Sequence, residues 1–172
     1  MRYKVTRKQN NSSRCIVCGT DNKFSLNSRF YELENGELAC NFRTEDWHQS
    51  YPGRTHGGMA AAILDELIGR AMCIDEPDCW GVTVELNLKY KKPVPTETNL
   101  TAVARVTRNS RKIFEGTGEL LLPDGSVAVE ASGKYMKMPV DKIAEGDFVE
   151  KEWYLLEEEA DPKEIDLPEI KR

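Results

Sequence analysis

The sequence has 172 residues, 40% of them apolar and 31% charged, with 24 Lys and Arg against 29 Asp and Glu for a net charge of -5. That length predicts one domain with a sizeable buried core, and the balance of apolar and charged residues excludes a wholly disordered chain. No run approaches the roughly 18 to 20 uncharged apolar residues of a membrane helix, Met1–Arg14 lacks the apolar core of a signal peptide, and five cysteines, an odd number, fit reduced thiols in the cytoplasm better than a disulfide framework.

Residues 1–22 read as a basic extension. The first 14 carry five basic side chains and no acid, but without a basic helix or interleaved aromatics they predict a solvated leader rather than a nucleic-acid contact. Cys15-x-x-Cys18-Gly19 is the turn of a zinc knuckle. A structural zinc site needs two more ligands, usually a second close pair, and only the isolated Cys40, His48, Cys73 and Cys79 are on offer, so no metal is expected. A thioredoxin-like role would need a strand and then a helix around the pair, and that context is missing.

Residues 23–140 carry the folded domain. Lys23–Leu33 and Glu37–Arg43 flank Asn35-Gly36, a dipeptide suited to a tight hairpin turn. From Gly57 to about Ile74 the chain is apolar almost all round and predicts a wrapped helix about 27 Å long. In Gly81–Tyr90, Val82, Val84, Leu86, Leu88 and Tyr90 alternate with polar residues, the period of a half-buried strand. Leu100–Arg108, Arg111–Leu122 and Ser126–Met138 follow with turns between them, completing an antiparallel meander. One buried helix against one curved antiparallel sheet is an α+β arrangement. Residues 141–172 hold 12 acidic and 5 basic side chains and read as an acidic extension with a short helix near Lys151–Glu159.

The helix row Gly57, Ala61, Asp65, Gly69 is a stripe of small residues carrying one carboxylate. A carboxylate there has to pair, sit at a solvated edge with Glu66 and Arg70, or face a wet cleft. The preceding segment, His48 to Gly58, is a Pro- and Gly-rich approach to a helix N-terminus, where free N–H groups collect negative charge. A thioester carbonyl against Gly57 or Gly58 would find an oxyanion site, with Asp65 of a facing subunit as nucleophile or base. His56, at the positive end of the helix dipole, is expected to be neutral and to organise the turn.

Gly53-x-x-His56-Gly57-Gly58, Asp65, Gly81–Tyr90 and Pro93 together resemble the hotdog-fold acyl-CoA thioesterases of the PaaI-like, 4-hydroxybenzoyl-CoA thioesterase superfamily. The resemblance implies a hotdog fold, a curved antiparallel sheet wrapped around one long central helix over residues 23–140. It implies a catalytic carboxylate at Asp65, an oxyanion N–H at Gly57 with Gly58 adjoining, and a helix-opening histidine at His56. The family's amide six residues before that histidine falls on Ser50, with Gln49 beside it, and a water-positioning polar residue falls on Thr83. The implied substrate is an acyl- or aryl-CoA, hydrolysed to free acid and CoA without a metal or other cofactor. The implied assembly is a homodimer or homotetramer whose sites cross the dimer interface, with Gly81–Tyr90 as the edge strand and no nucleic-acid or membrane partner. Lys91, Lys92, Arg111 and Lys112, among the basic residues at strand ends, are expected to meet the CoA phosphates. Two other readings stay open: a noncatalytic acyl-CoA-binding module, and a hotdog enoyl-thioester hydratase with a histidine base.

Overall fold

The computed structural model describes residues 1–169. Eight strands form one antiparallel sheet in the order β10-β1-β3-β4-β6-β7-β8-β5. Its centre is built from β3 (Arg29–Leu33), β4 (Leu38–Thr44), β5 (Trp80–Tyr90), β6 (Thr98–Asn109), β7 (Ile113–Leu121) and β8 (Val127–Met138). The helix α1 (Gly57–Ala71) continues into a 3-10 turn at Met72–Ile74, so the expected helix span holds. It packs against β4 through β8, which makes the sheet wrap the helix as expected.

The period of two in each strand sorts side chains between the faces. Leu38, Cys40 and Phe42 of β4, and Leu100, Ala102 and Ala104 of β6, turn toward Ile63, Leu64, Leu67 and Ile68 of α1. Ala39 and Val103 turn the other way into a second apolar cluster with Tyr31, Leu33, Leu121, Ile165 and Leu167. The β3–β4 hairpin closes as predicted at Asn35-Gly36: Gly36 has φ +79° and its N–H donates to the Leu33 carbonyl at 2.9 Å.

Both extensions enter the fold, which corrects the solvated leader. β1 (Arg2–Lys8) pairs with β3, and β10 (Glu164–Asp166) pairs with β1. Tyr3 and Val5 alternate with charged residues and pack with Ile165 and Leu167 over the outer face of the sheet, the apolar period that makes this basic run a strand. The first predicted strand shortens, because Lys23–Ser28 bonds elsewhere: Leu26 and Ser28 N–H donate to the Ile16 and Val17 carbonyls at 2.9 and 3.0 Å, and side-chain turns take other amides. Phe24 N–H donates to Asn22 Oδ1 at 3.0 Å and Asn27 N–H to Ser25 Oγ at 3.0 Å, side-chain turns that compete with a ladder. The tail helix also moves: α2 is Phe148–Lys151, and β9 (Trp153–Tyr154) then pairs with β2 (Asn11–Ser12). Among the described residues no helix is long and apolar enough to cross a membrane.

Candidate active site

Asp65 lies on the half-buried row of α1, beside β5 and β8. Its Oδ1 accepts from Thr83 Oγ1 at 2.9 Å and from the Tyr135 hydroxyl at 3.1 Å, and that hydroxyl also reaches the Asp65 carbonyl oxygen at 3.0 Å. Two donors converging on one oxygen hold the carboxylate in a single orientation. Burial pushes the Tyr135 phenol well above its ordinary range, so it stays protonated and donates. The expected pairing of the helix acids with Arg70 applies to Glu66 alone, whose Oε1 lies 2.6 Å from Arg70 Nη2.

Tyr135 is fully buried and stacks on Phe114 with ring centroids 5.1 Å apart. Gly69, Gly81 and Gly133 surround it, and a Cβ on Gly133 would come within 2.6 Å of its ring. Small residues therefore make room for the one side chain that links β8 to the acid on α1. Tyr135 escapes sequence reasoning because an aromatic alternating inward on a strand looks like any other core residue.

Asp65, Thr83 and Tyr135 line a cleft of about 370 Å³ that Trp80, Phe148 and Trp153 wall on the apolar side. These three rings pack on one another, Trp80 and Trp153 with centroids 5.2 Å apart. Phe148 and Trp153 belong to the acidic extension; their signal is three aromatics, Phe148, Trp153 and Tyr154, within a run rich in acids.

The helix N-terminus opens on a second cleft, lined by Ser50, Gly57, Tyr90, Lys91 and Lys92. His56 caps the helix, its Nδ1 accepting from Gly58 N–H at 2.8 Å, which is the turn-organising role expected of a neutral imidazole. That bond engages the Gly58 N–H and leaves the Gly57 N–H, at the first helical position, without an intrahelical acceptor. Tyr90 donates its hydroxyl to the Gly57 carbonyl at 2.8 Å. Ser50 is exposed and its N–H donates to Arg54 at 2.9 Å; Gln49 bridges to Thr55 and stays outside the cleft. Gly57 and Asp65 stand eight residues apart on one helix, about 12 Å along its axis, so one chain does not bring them together.

The basic residues divide. Lys91 and Lys92 anchor beside the helix N-terminus through N–H bonds to the Ala128 carbonyl at 2.8 and 3.1 Å. Arg111 and Lys112 sit in the β6–β7 turn at the far end of β8, where Ile113 pairs with Met136. His48 is buried with both ring nitrogens occupied, Nδ1 accepting from Glu45 N–H at 2.9 Å and Nε2 against the Phe24 carbonyl at 2.7 Å. It is neither a base nor a ligand.

Residues 52–129 match the model of the thioesterase superfamily. That stretch resembles the superfamily's domain, and the fold around it is the hotdog fold. It is 26% identical over 78 residues to acyl-coenzyme A thioesterase 13 from Homo sapiens, covering 45% of this chain and 56% of that protein. It is 27% identical over 114 residues to acyl-coenzyme A thioesterase THEM4 from Rattus norvegicus, covering 66% of this chain and 48% of that protein. The chain thus spans about half the length of these relatives. Among solved structures, a thioesterase superfamily protein superimposes with a TM-score of 0.66 at 24% identity, over 71% of this chain and 59% of that one. The E. coli PaaI protein of the phenylacetic acid degradation operon superimposes with a TM-score of 0.60 at 15% identity, over 66% and 80%. These likenesses carry the hotdog fold.

Proposed function

We propose that this hotdog protein is an acyl-CoA thioesterase, hydrolysing the thioester of an acyl- or aryl-CoA to free acid and CoA. The observation that carries this reading is the half-buried Asp65, held by Thr83 and Tyr135 at the mouth of an aromatic-walled cleft; the acyl-CoA thioesterase names of the relatives support it. Asp65 attacks the carbonyl carbon or takes a proton from the attacking water, and the Gly57 N–H stabilises the oxyanion. In the water route the C–S bond breaks as the tetrahedral oxyanion collapses, and the CoA thiolate leaves and takes the proton that Asp65 took from water. In the nucleophilic route the thiolate leaves as a mixed anhydride forms with Asp65, and water then hydrolyses that anhydride to free acid. The acyl group enters the cleft walled by Trp80, Phe148 and Trp153, while Lys91 and Lys92 receive phosphate at the helix N-terminus. Thr83 and Tyr135 position the acid, Ser50 lines the same cleft as Gly57, and His56 holds the loop.

The 12 Å along α1 that separates Gly57 from Asp65 requires a second copy to complete each site, so the working unit is a homodimer or homotetramer. β5 is the edge of the sheet and exposes Val84, at 54% of its surface, on a bulge next to Thr83. Such an edge pairs with its own copy. The reducing cytoplasm is the compartment that its free thiols suit.

The test is thiol release from short, medium, long and aryl acyl-CoA esters, run beside Asp65→Asn. Turnover that the substitution removes is the expected result. Thermal stabilisation by a nonhydrolysable acyl-CoA analogue without any hydrolysis would replace this reading with a binding module, and water addition to crotonyl-CoA without thiol release would replace it with a hydratase.

A further inference from the structure

Cys15 and Cys18 stand in a tight turn whose backbone is aimed at their sulfurs. Gly19 N–H donates to the Cys15 carbonyl at 2.8 Å, and a Cβ on Gly19 would lie 2.2 Å from that oxygen, so the turn requires glycine. Val17 N–H points at Cys15 Sγ from 3.3 Å and Ser12 N–H at Cys18 Sγ from 3.4 Å. Backbone amides thus hold both sulfurs at fixed positions on one side of the turn.

The second cysteine pair missing from the sequence is replaced by a carboxylate from α1. Cys15 Sγ lies 3.0 Å from Glu66 Oε2, and one donor atom each of Cys15, Cys18 and Glu66 falls within 4.8 Å of the others. Bonds of about 2.3 Å to sulfur and about 2.0 to 2.2 Å to oxygen set tetrahedral donors roughly 3.4 to 3.8 Å apart, so a small side-chain adjustment closes the set on a cation.

Charge and orientation are also supplied. Two thiolates and one carboxylate bring three negative charges, of which a divalent cation neutralises two. The third faces Arg70, whose Nη2 lies 3.2 Å from Cys18 Sγ and 2.6 Å from Glu66 Oε1. Arg70 is buried and stacked between Phe30, at 4.2 Å, and Trp153, at 4.6 Å. By engaging Oε1 it turns Oε2 toward the cysteines, the orienting role that outer partners play for metal ligands.

We propose that Cys15, Cys18 and Glu66 bind one zinc-type divalent cation, with Arg70 as the charge-balancing partner and a fourth position open to the cleft that holds Asp65. Cys15 and Glu66 both line that cleft, so the fourth ligand is water or a group entering it. Three protein ligands and one open position form a site that a ligand in the cleft can reach. Binding displaces the thiol protons, including the one Cys15 donates to Glu66.

The test is titration of the reduced, chelator-treated full chain with Co2+ under anaerobic conditions, followed by displacement with Zn2+. The expected result is one cobalt per chain, with near-ultraviolet thiolate-to-cobalt absorption and tetrahedral visible bands. Cys15→Ser, which leaves Cys18 as the single thiolate, should at least halve the thiolate-to-cobalt absorption. Glu66→Gln, which removes a ligand charge, should weaken uptake by more than the roughly tenfold that loss of an outer partner costs. Circular dichroism confirms that each variant is folded. Folded wild type that takes up no cobalt overturns the proposal, as does uptake unchanged in either variant. Failure to bind, with Cys15 and Cys18 instead joining as a disulfide under mild oxidant, overturns it in favour of a thiol pair.

Discussion

At the scale of residues the account turns on one carboxylate oxygen. Thr83 and Tyr135 both donate to Asp65 Oδ1, and a hydrogen bond to a charged group contributes about 1.5–3 kcal/mol. Thr83→Val and Tyr135→Phe should therefore each lower kcat about tenfold to a hundredfold with KM nearly unchanged, because they loosen the acid without touching the CoA contacts. Steady-state kinetics checks this split, and a rise in KM at constant kcat would make both residues substrate contacts instead. Asp65 is legible in the sequence as the one carboxylate on a small-residue row of a glycine-started helix, whereas Thr83 is reached only through the family resemblance. Tyr135 is not legible, since its partner is 70 residues away. Glu66 is hidden from the cysteine pair for the same reason, being 51 residues from Cys15.

At the scale of elements, α1 lies close on the sheet because β7 has glycine beneath it. A Cβ on Gly116 would meet Ile68 Cγ2 at 2.7 Å and the Arg105 carbonyl oxygen at 2.8 Å, and the backbone atom has little room to give. Gly116→Ala should destabilise the fold by about 1–3 kcal/mol, read as a lower urea midpoint at constant m-value; an unchanged midpoint would mean the helix shifts freely on the sheet. The helix was legible as one long apolar run, and the strands from β4 through β8 as alternating segments set off by turns, even though bulges shift the register in β5 and β6. The hairpin's leading strand was not, because turns of Asn22 and Ser25 and bonds from Leu26 and Ser28 to the Ile16 and Val17 carbonyls outcompete the ladder. On the sheet edge, Val84→Lys should place like charges across a β5–β5 contact. Light scattering should then show a monomer, with thioesterase activity lost in step, and an active monomer would contradict a site shared between copies.

The whole molecule is closed by its two ends. Arg29 Nε reaches Glu158 Oε2 at 2.6 Å, Lys8 Nζ reaches it at 3.0 Å, and Arg2 Nε reaches Asp166 Oδ1 at 3.1 Å. The hydrogen bond from Arg29 holds the Glu158 carboxyl below its ordinary value of 4.5, and that from Arg2 holds Asp166 below 3.8. A carboxylate with a lowered folded pKa stabilises the fold above its unfolded value and loses that contribution as pH falls through the folded one. The urea midpoint should hold near neutrality and drop below about pH 4.5, and Glu158→Gln should make the drop shallower; equal slopes would show that the tail's ion pairs add nothing. Composition marked this tail as acidic but could not pair it, because its partners lie at the other end of the chain.

The measurement that bears most directly on the function is kcat/KM for thiol release by wild type and by Asp65→Asn, on the best ester of the acyl-CoA panel and with both proteins shown to be folded. Asp65 acting as base or nucleophile predicts a loss of about 10²–10⁴-fold. Equal rates would remove Asp65 from the reaction and with it the proposed mechanism.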